Sequence, residues 1–196
     1  MLTKLLRVII GFFLEVAETA IAAILIFLAL YLFLVRPHQI RGDSMLPGFK
    51  NGELLLTEMV SYNLLRREPQ RGDVVVFRSP EQPNLDFIKR VIALPNEEIK
   101  IQNGNIFIIN SDNPEGFLIN ESYLGNEVTT QGRRTIREGE IFSTGEGYIV
   151  MGDNRERSSD SRVWGVIRKN DIIGRVWLRY WPPGALALIN PQDYEE

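Results

Sequence analysis

Ser44 and Lys89 stand 45 positions apart in surroundings that suit a nucleophile and its base. Ser44 lies in Gly42-Asp43-Ser44-Met45-Leu46-Pro47, which begins a few residues after a long apolar stretch ends at Val35. A serine hydroxyl is a weak nucleophile until a neighbouring base takes its proton. Gly42 lets the backbone turn tightly, Pro47 stiffens the exit, and apolar Met45 suits a position near lipid. Taken alone, Ser44 is as well explained as a turn serine without chemistry.

Lys89 is the more telling residue. It sits inside the apolar run Phe87-Ile88-Lys89-Arg90-Val91-Ile92. Strands alternate their faces, so Phe87, Lys89 and Val91 share one side, and an inward Phe87 and Val91 carry Lys89 inward too. Burial disfavours the ammonium, and moving a lysine from ~10.4 to ~7–8 takes roughly 4 kcal/mol of differential stabilisation. On its own the residue also fits a side chain whose stem packs while its head reaches water. A third run, from Gly152-Asp153-Asn154-Arg155 through Ser158-Ser159-Asp160-Ser161-Arg162 to Trp164-Gly165, mixes turn formers with both charge signs. It reads as a long loop held by ion pairs, and a hydroxyl in it could orient a neutral lysine amine; a solvated charged loop has the same composition. Little else in the chain offers acyl chemistry: there is no cysteine, and the one histidine is His38.

The elements that must position these residues follow from hydropathy. Residues Val16 to Val35 hold a single charge, Glu18, in twenty positions. As a helix rising ~1.5 Å per residue they are roughly 30 Å long, the thickness of a bilayer's hydrocarbon core. The stretch is longer than a signal-peptide core and no small-x-small site follows it, so an uncleaved anchor is expected. Lys4 and Arg7 favour a cytoplasmic N-terminus, although Arg36 and Arg41 flank the other end. The first 15 residues read as helical too, and the helix should stop near Pro37.

Beyond the anchor no helical period is sustained, and the chain reads as mainly β. Expected strands are Glu53–Thr57, Val74–Phe77, Phe87–Leu94, Tyr148–Met151 and Ile172–Tyr180, with a hairpin at Asn103-Gly104. Residues 1–36 are expected to form an N-terminal segment and anchor, with the span at about 16–35. Residues 37–98 and 148–196 would form a β-rich core, and 99–147, richer in Asn, Gly, Ser and Thr, a smaller inserted β cap. In Arg175-Val176-Trp177-Leu178-Arg179-Tyr180-Trp181, simple alternation would put Arg175, Trp177, Arg179 and Trp181 on one face, a composition suited to lipid headgroups; an ordinary packed strand is the rival.

The net charge is −3, with no basic stripe, so nucleic acid is not an expected partner. The absence of cysteine excludes thiol catalysis, disulfides and thiolate metal sites.

Taken together, the three runs resemble the boxes of bacterial type I signal peptidases, and Arg71-Gly72-Asp73-Val74-Val75 resembles the intervening one. Four ordered segments across residues 40–165 carry the resemblance, behind an anchor in the expected place. It implies a membrane-bound serine endopeptidase that removes signal peptides from exported preproteins through an acyl-enzyme, without metal or cofactor. Ser44 would be the nucleophile, its backbone N–H an oxyanion donor, and Lys89 the general base. Ser158 falls on the lysine-orienting serine. Gly42, Met45 and Pro47 would shape the turn, and Arg90, Asp153, Asp160 and Arg162 would scaffold the site through ion pairs. The implied partners are signal peptides and the lipid bilayer of a plasma or thylakoid membrane, with the catalytic domain on the exported side. The chain departs from the pattern at Gly42, where some members carry an oxyanion-hole serine, at Gly48 in place of threonine, and at Ala93 and Asn96 where glycines are common. Two rivals remain: a membrane-anchored adaptor of the same fold that has lost catalysis, and a self-cleaving Ser–Lys regulator, whose class carries a DNA-binding domain that this N-terminus does not provide.

Overall fold

The apolar N-terminal stretch forms one uninterrupted helix, α1 (Leu2–Leu34), in a computed structural model that describes residues 2–125, 128–192 and 194. Within it Ile9–Leu28, 20 residues of mean hydropathy 2.2, is long and apolar enough to cross a membrane. This stretch overlaps the expected span at 16–35. The helix ends at Leu34, ahead of Arg36, the residue that Pro37 holds extended. Residues Met1–Arg36 are one unit and Pro37–Glu196 the other.

The second unit is built on two antiparallel sheets. The larger has β1 (Val35–Gln39), β2 (Leu54–Glu58), β3 (Val74–Arg78), β4 (Asp86–Ala93), β9 (Ile149–Met151), β10 (Ile172–Trp181) and β11 (Ala187–Leu188). Its order is β1-β2-β10-β3-β4-β9, with β11 on β10. The long β10 therefore lies between β2 and β3, pairing Arg175 with both Glu58 and Val75. The smaller sheet runs β7-β6-β5-β8 from β5 (Glu98–Gln102), β6 (Asn105–Ile109), β7 (Phe117–Leu118) and β8 (Ile141–Ser143). Asn103 and Gly104 both have positive φ, +54° and +81°, as a two-residue turn between β5 and β6 requires.

β3 reads as a continuous apolar run because both of its faces are covered. Val75 and Phe77 pack with Val91, Tyr148, Val150 and Ile172 on one side. Val74 and Val76 pack with Ile40, Met45, Leu55 and Val176 on the other. A third cluster joins the sheets: Ile99, Ile101, Ile106 and Ile108 of β5 and β6 meet Ile92 and Met151 of the larger sheet. Fully burying such a side chain contributes about 1.5–3 kcal/mol, so the small sheet is held by the same core that holds the large one.

Strict alternation fails along β10. Its register shifts between Val176 and Leu178 and again between Arg179 and Trp181. Trp181 is about half exposed, whereas the Trp177 indole N–H is buried without a hydrogen-bond partner among the described residues. The four residues expected on one face are thus divided by the bulges, each of which re-aims the side chains beyond it. Also unforeseen is the single helical turn Val60–Leu64, which follows β2.

Candidate active site

Ser44 is carried on the turn between β1 and β2, pinned by backbone hydrogen bonds from Leu46 N–H to the Asp43 carbonyl (3.2 Å) and from Phe49 N–H to the Met45 carbonyl (2.8 Å). Met45 and Phe49 are buried and anchor the turn in the Val74–Val76 cluster. Gly42 enters it at φ +89°, a conformation that favours glycine, and its N–H donates to Asn51 Oδ1 at 3.0 Å. The Ser44 carbonyl accepts the Asn154 N–H at 3.0 Å, and the Asp43 carbonyl accepts Asn154 Nδ2 at 3.0 Å. The 152–160 loop therefore clasps the turn. Gly48 fits this clasp: a Cβ there would stand 2.5 Å from Asp153 Oδ2, too close for any side chain.

Lys89 comes from β4, on the face it shares with Phe87 and Val91, and is only 4 % exposed. Its Nζ donates to Ser44 Oγ at 2.9 Å and to the Ile88 carbonyl at 2.9 Å. Burial lowers the Lys89 pKa to about 8, against the opposing pull of Asp160 and Asp153. An amine of that pKa is neutral in about a tenth of molecules at pH 7 and in about half at pH 8, so it can take a proton from the hydroxyl it touches.

Ser158 is buried in the same loop, but both hydrogen bonds of the lysine amine go elsewhere. The second acceptor of the Lys89 amine in this structure is the Ile88 carbonyl. Ser158 Oγ lies near enough to the Asp160 carboxylate to favour its charge, yet makes no hydrogen bond among the described residues.

Two buried ion pairs stiffen the loop. Arg90 grips Asp153 with both Nε (2.9 Å) and Nη2 (2.8 Å). Arg162 grips Asp160 in the same forked manner, at 2.8 Å for each contact. Such forks fix direction as well as distance. Although burial opposes its charge, the Asp160 pKa is lowered from the ordinary carboxylate value, because Arg162, Ser158 and the Gly152 N–H favour the ionised form. Asp160 also caps the short helix α2 (Ser161–Trp164) by accepting the Arg162 N–H.

Sequence reasoning passed over Arg155. This buried guanidinium donates from Nε to the Gly152 carbonyl at 3.1 Å and pairs with Glu121 through both terminal nitrogens. Its place directly after Gly152-Asp153-Asn154 was a signal; its partner, 34 residues away, was not. Ser161 Oγ likewise accepts the Val150 N–H of β9 at 2.9 Å, tying the loop to the sheet.

A cleft of ≈ 240 Å³ opens beside the pair, with Ser44 and Lys89 among its walls. Ile40, Leu55, Val76, Phe87 and Ile88 make much of the rest apolar, while His38, Gln39 and Asp86 add polar groups. No hydrogen bond engages the Ser44 N–H among the described residues. Nor, among those residues, are three or more His, Asp or Glu side chains grouped to hold a metal ion.

Comparison with known proteins gives concordant matches. The model of the family described as "Signal peptidase, peptidase S26" matches residues 13–181. "Probable signal peptidase I-1" of Synechocystis sp. is 36 % identical over 169 residues, 82 % of this chain and 78 % of that one. "Probable signal peptidase I-2" of the same organism is 29 % identical over 188 residues, 93 % of this chain and 80 % of that one. "Signal peptidase IB" of Staphylococcus aureus is 32 % identical over 179 residues, 86 % of this chain and 91 % of that one.

Proposed function

The chain belongs to the signal peptidase family, peptidase S26, and is a membrane-anchored serine endopeptidase; we propose that it removes signal peptides from exported preproteins with Ser44 as nucleophile and Lys89 as general base. The observation that carries this reading is the 2.9 Å contact between Lys89 Nζ and Ser44 Oγ, made by a lysine whose pKa burial has lowered to about 8. Neutral Lys89 takes the Ser44 proton as Oγ attacks the scissile carbonyl. The oxyanion that forms is met by the Ser44 N–H. Lys89 then protonates the departing amine, which leaves as the new N-terminus of the mature protein. Lys89, neutral again, next draws a proton from water; hydroxide attack breaks the ester bond, and Lys89 returns the proton to Ser44 Oγ. Ser158, whose hydroxyl has an open hydrogen-bonding capacity beside Asp160, orients the lysine as its proton comes and goes.

The segment before the cut lies extended in the apolar cleft, where small side chains one and three residues upstream fit against Ile40, Leu55, Val76 and Ile88. β1 ends the order of the larger sheet and supplies His38 and Gln39 to the cleft, so the substrate adds beside it as a further strand. Backbone pairing tolerates the varied sequences of signal peptides. Residues 37–98 and 148–196 act as the catalytic core and 99–147 as its inserted cap. Lys4 and Arg7 hold the N-terminus in the cytoplasm, which sets the catalytic unit on the exported side of a plasma or thylakoid membrane. Anchoring enzyme and signal peptide in one bilayer raises their effective concentration.

Cleavage of a preprotein by the full chain in liposomes tests the reading. The parent is expected to release the signal peptide, and Ser44→Ala and Lys89→Arg to release none. Near-parent turnover by Lys89→Arg would overturn the mechanism, and an inactive parent would favour the adaptor.

A further inference from the structure

Arg90, which holds Asp153, is itself held by the Gly72 carbonyl and the Tyr123 ring, and the segment that follows β11 braces both. The first grip is through backbone. The Gly72 carbonyl accepts Arg90 Nη1 at 3.1 Å and also the Gln192 N–H at 3.4 Å. Gly72, at φ +88°, permits this approach, because a Cβ there would overlap the Gln192 carbonyl.

The second grip is through rings. Tyr194 is buried in the isoleucine cluster, meets the Tyr123 ring edge-on at 6.2 Å, and donates its hydroxyl to Tyr123 Oη at 3.0 Å. The Arg90 guanidinium lies over the Tyr123 ring, 4.2 Å from its centre. Tyr123 Oη donates to Glu121 Oε1 at 2.6 Å and accepts from Arg155 Nη2 at 3.1 Å. From there Arg155 reaches the Gly152 carbonyl, beside the Ser44 turn. Burial pushes both phenols above their ordinary pKa, so each keeps its proton and remains a donor across the working pH range.

We propose that Tyr194 is a positioning residue for signal-peptide cleavage, holding the 152–160 loop against Ser44 and shielding Lys89 from water through Tyr123, Arg90 and Arg155. It acts at a distance: its hydrogen bond and ring contact are with Tyr123, and its packing is with the isoleucine cluster. The proposal rests on the Ser44–Lys89 reading. Its distinguishing consequence concerns protons. Water that reaches a loosened loop relieves the burial that lowers the Lys89 pKa, so the amine stays protonated to higher pH.

The test measures precursor cleavage by the full chain in liposomes from pH 6 to pH 10, comparing the parent with Tyr194→Phe and Tyr194→Ala. Tyr194→Phe keeps the buried ring and loses only the hydrogen bond. It is expected to fold like the parent, to keep KM, and to lose about fivefold in kcat at pH 7, the worth of about one hydrogen bond. The midpoint of its rate–pH curve should move upward, so that the deficit narrows toward pH 10. Tyr194→Ala should show the same pattern more strongly. Unchanged kcat and midpoint in both variants would overturn the proposal. So would a loss uniform across pH that follows a fall in melting temperature, since that marks packing alone. A parent that cleaves nothing would overturn the underlying Ser44–Lys89 reading and this proposal with it.

Discussion

The Ser44 carbonyl oxygen occupies space that any side chain on residue 152 would need, and Ser158 Oγ crowds the same point. Gly152, like the Asn154 N–H, is therefore a point at which the nucleophile turn and the charged loop meet backbone to backbone. Gly152→Ala would push the two apart. A misplacement of about 1 Å in a reacting pair can cost on the order of 10²-fold in rate. Precursor cleavage by Gly152→Ala is expected to fall by about that factor, with the full chain still folded by circular dichroism. Turnover within twofold of the parent would show that the close approach is dispensable.

Lys89 should make the protein less stable than it would be with an apolar residue, and only below a definite pH. Its folded pKa is about 8 against an ordinary value of 10.5. Between those values the unfolded chain holds a proton that the native state has lost, so stability rises with pH across this window. Below pH 8 the whole penalty applies, about 3 kcal/mol at 1.36 kcal/mol per pKa unit. Lys89→Met is therefore expected to be inactive yet more stable than the parent by up to about 3 kcal/mol at pH 7. The advantage should vanish by about pH 10.5. Denaturant unfolding at pH 7 and at pH 10.5 checks this, and an equal difference at both would refute the lowered pKa.

Gly42 invites a serine, because nothing lies within 4 Å of the position its Cβ would take. The backbone opposes one, because φ is +89°. Non-glycine residues forced into such regions lose about 1–3 kcal/mol. Gly42→Ser and Gly42→Ala should therefore destabilise the chain by similar amounts in that range, and neither should cleave faster than the parent. A tenfold gain in kcat for the serine variant alone would mean that its hydroxyl reaches the oxyanion.

How much of this was legible in sequence depended on the range of each signal. The alternation of Phe87, Lys89 and Val91 was enough to place the lysine inward, because a strand's side-chain period is a local property. The run Val74–Phe77 and the pair Asn103-Gly104 marked a strand and a tight hairpin for the same reason. Residues on β10 were harder: two bulges shift its register, and a bulge has no signature in alternation. The Ile88 carbonyl was invisible as a partner of Lys89, since every residue carries a carbonyl and only the folded chain aims one. Arg155 with Glu121, and Tyr194 with Tyr123, lie 34 and 71 positions apart, beyond anything local patterning specifies.

The position of β10 has a consequence for the making of the protein. The Ser44 turn is attached to β1 and β2, and Lys89 to β4, beside β3; the strand that bridges β2 to β3 is β10, residues Ile172–Trp181 of 196. Synthesis runs from the N-terminus, so both members of the pair are complete while the strand that must join their two halves of the sheet is still unmade. A half-translated chain therefore carries the nucleophile and the base without the frame that brings them together. The two halves of the site are therefore joined only once β10 has been made.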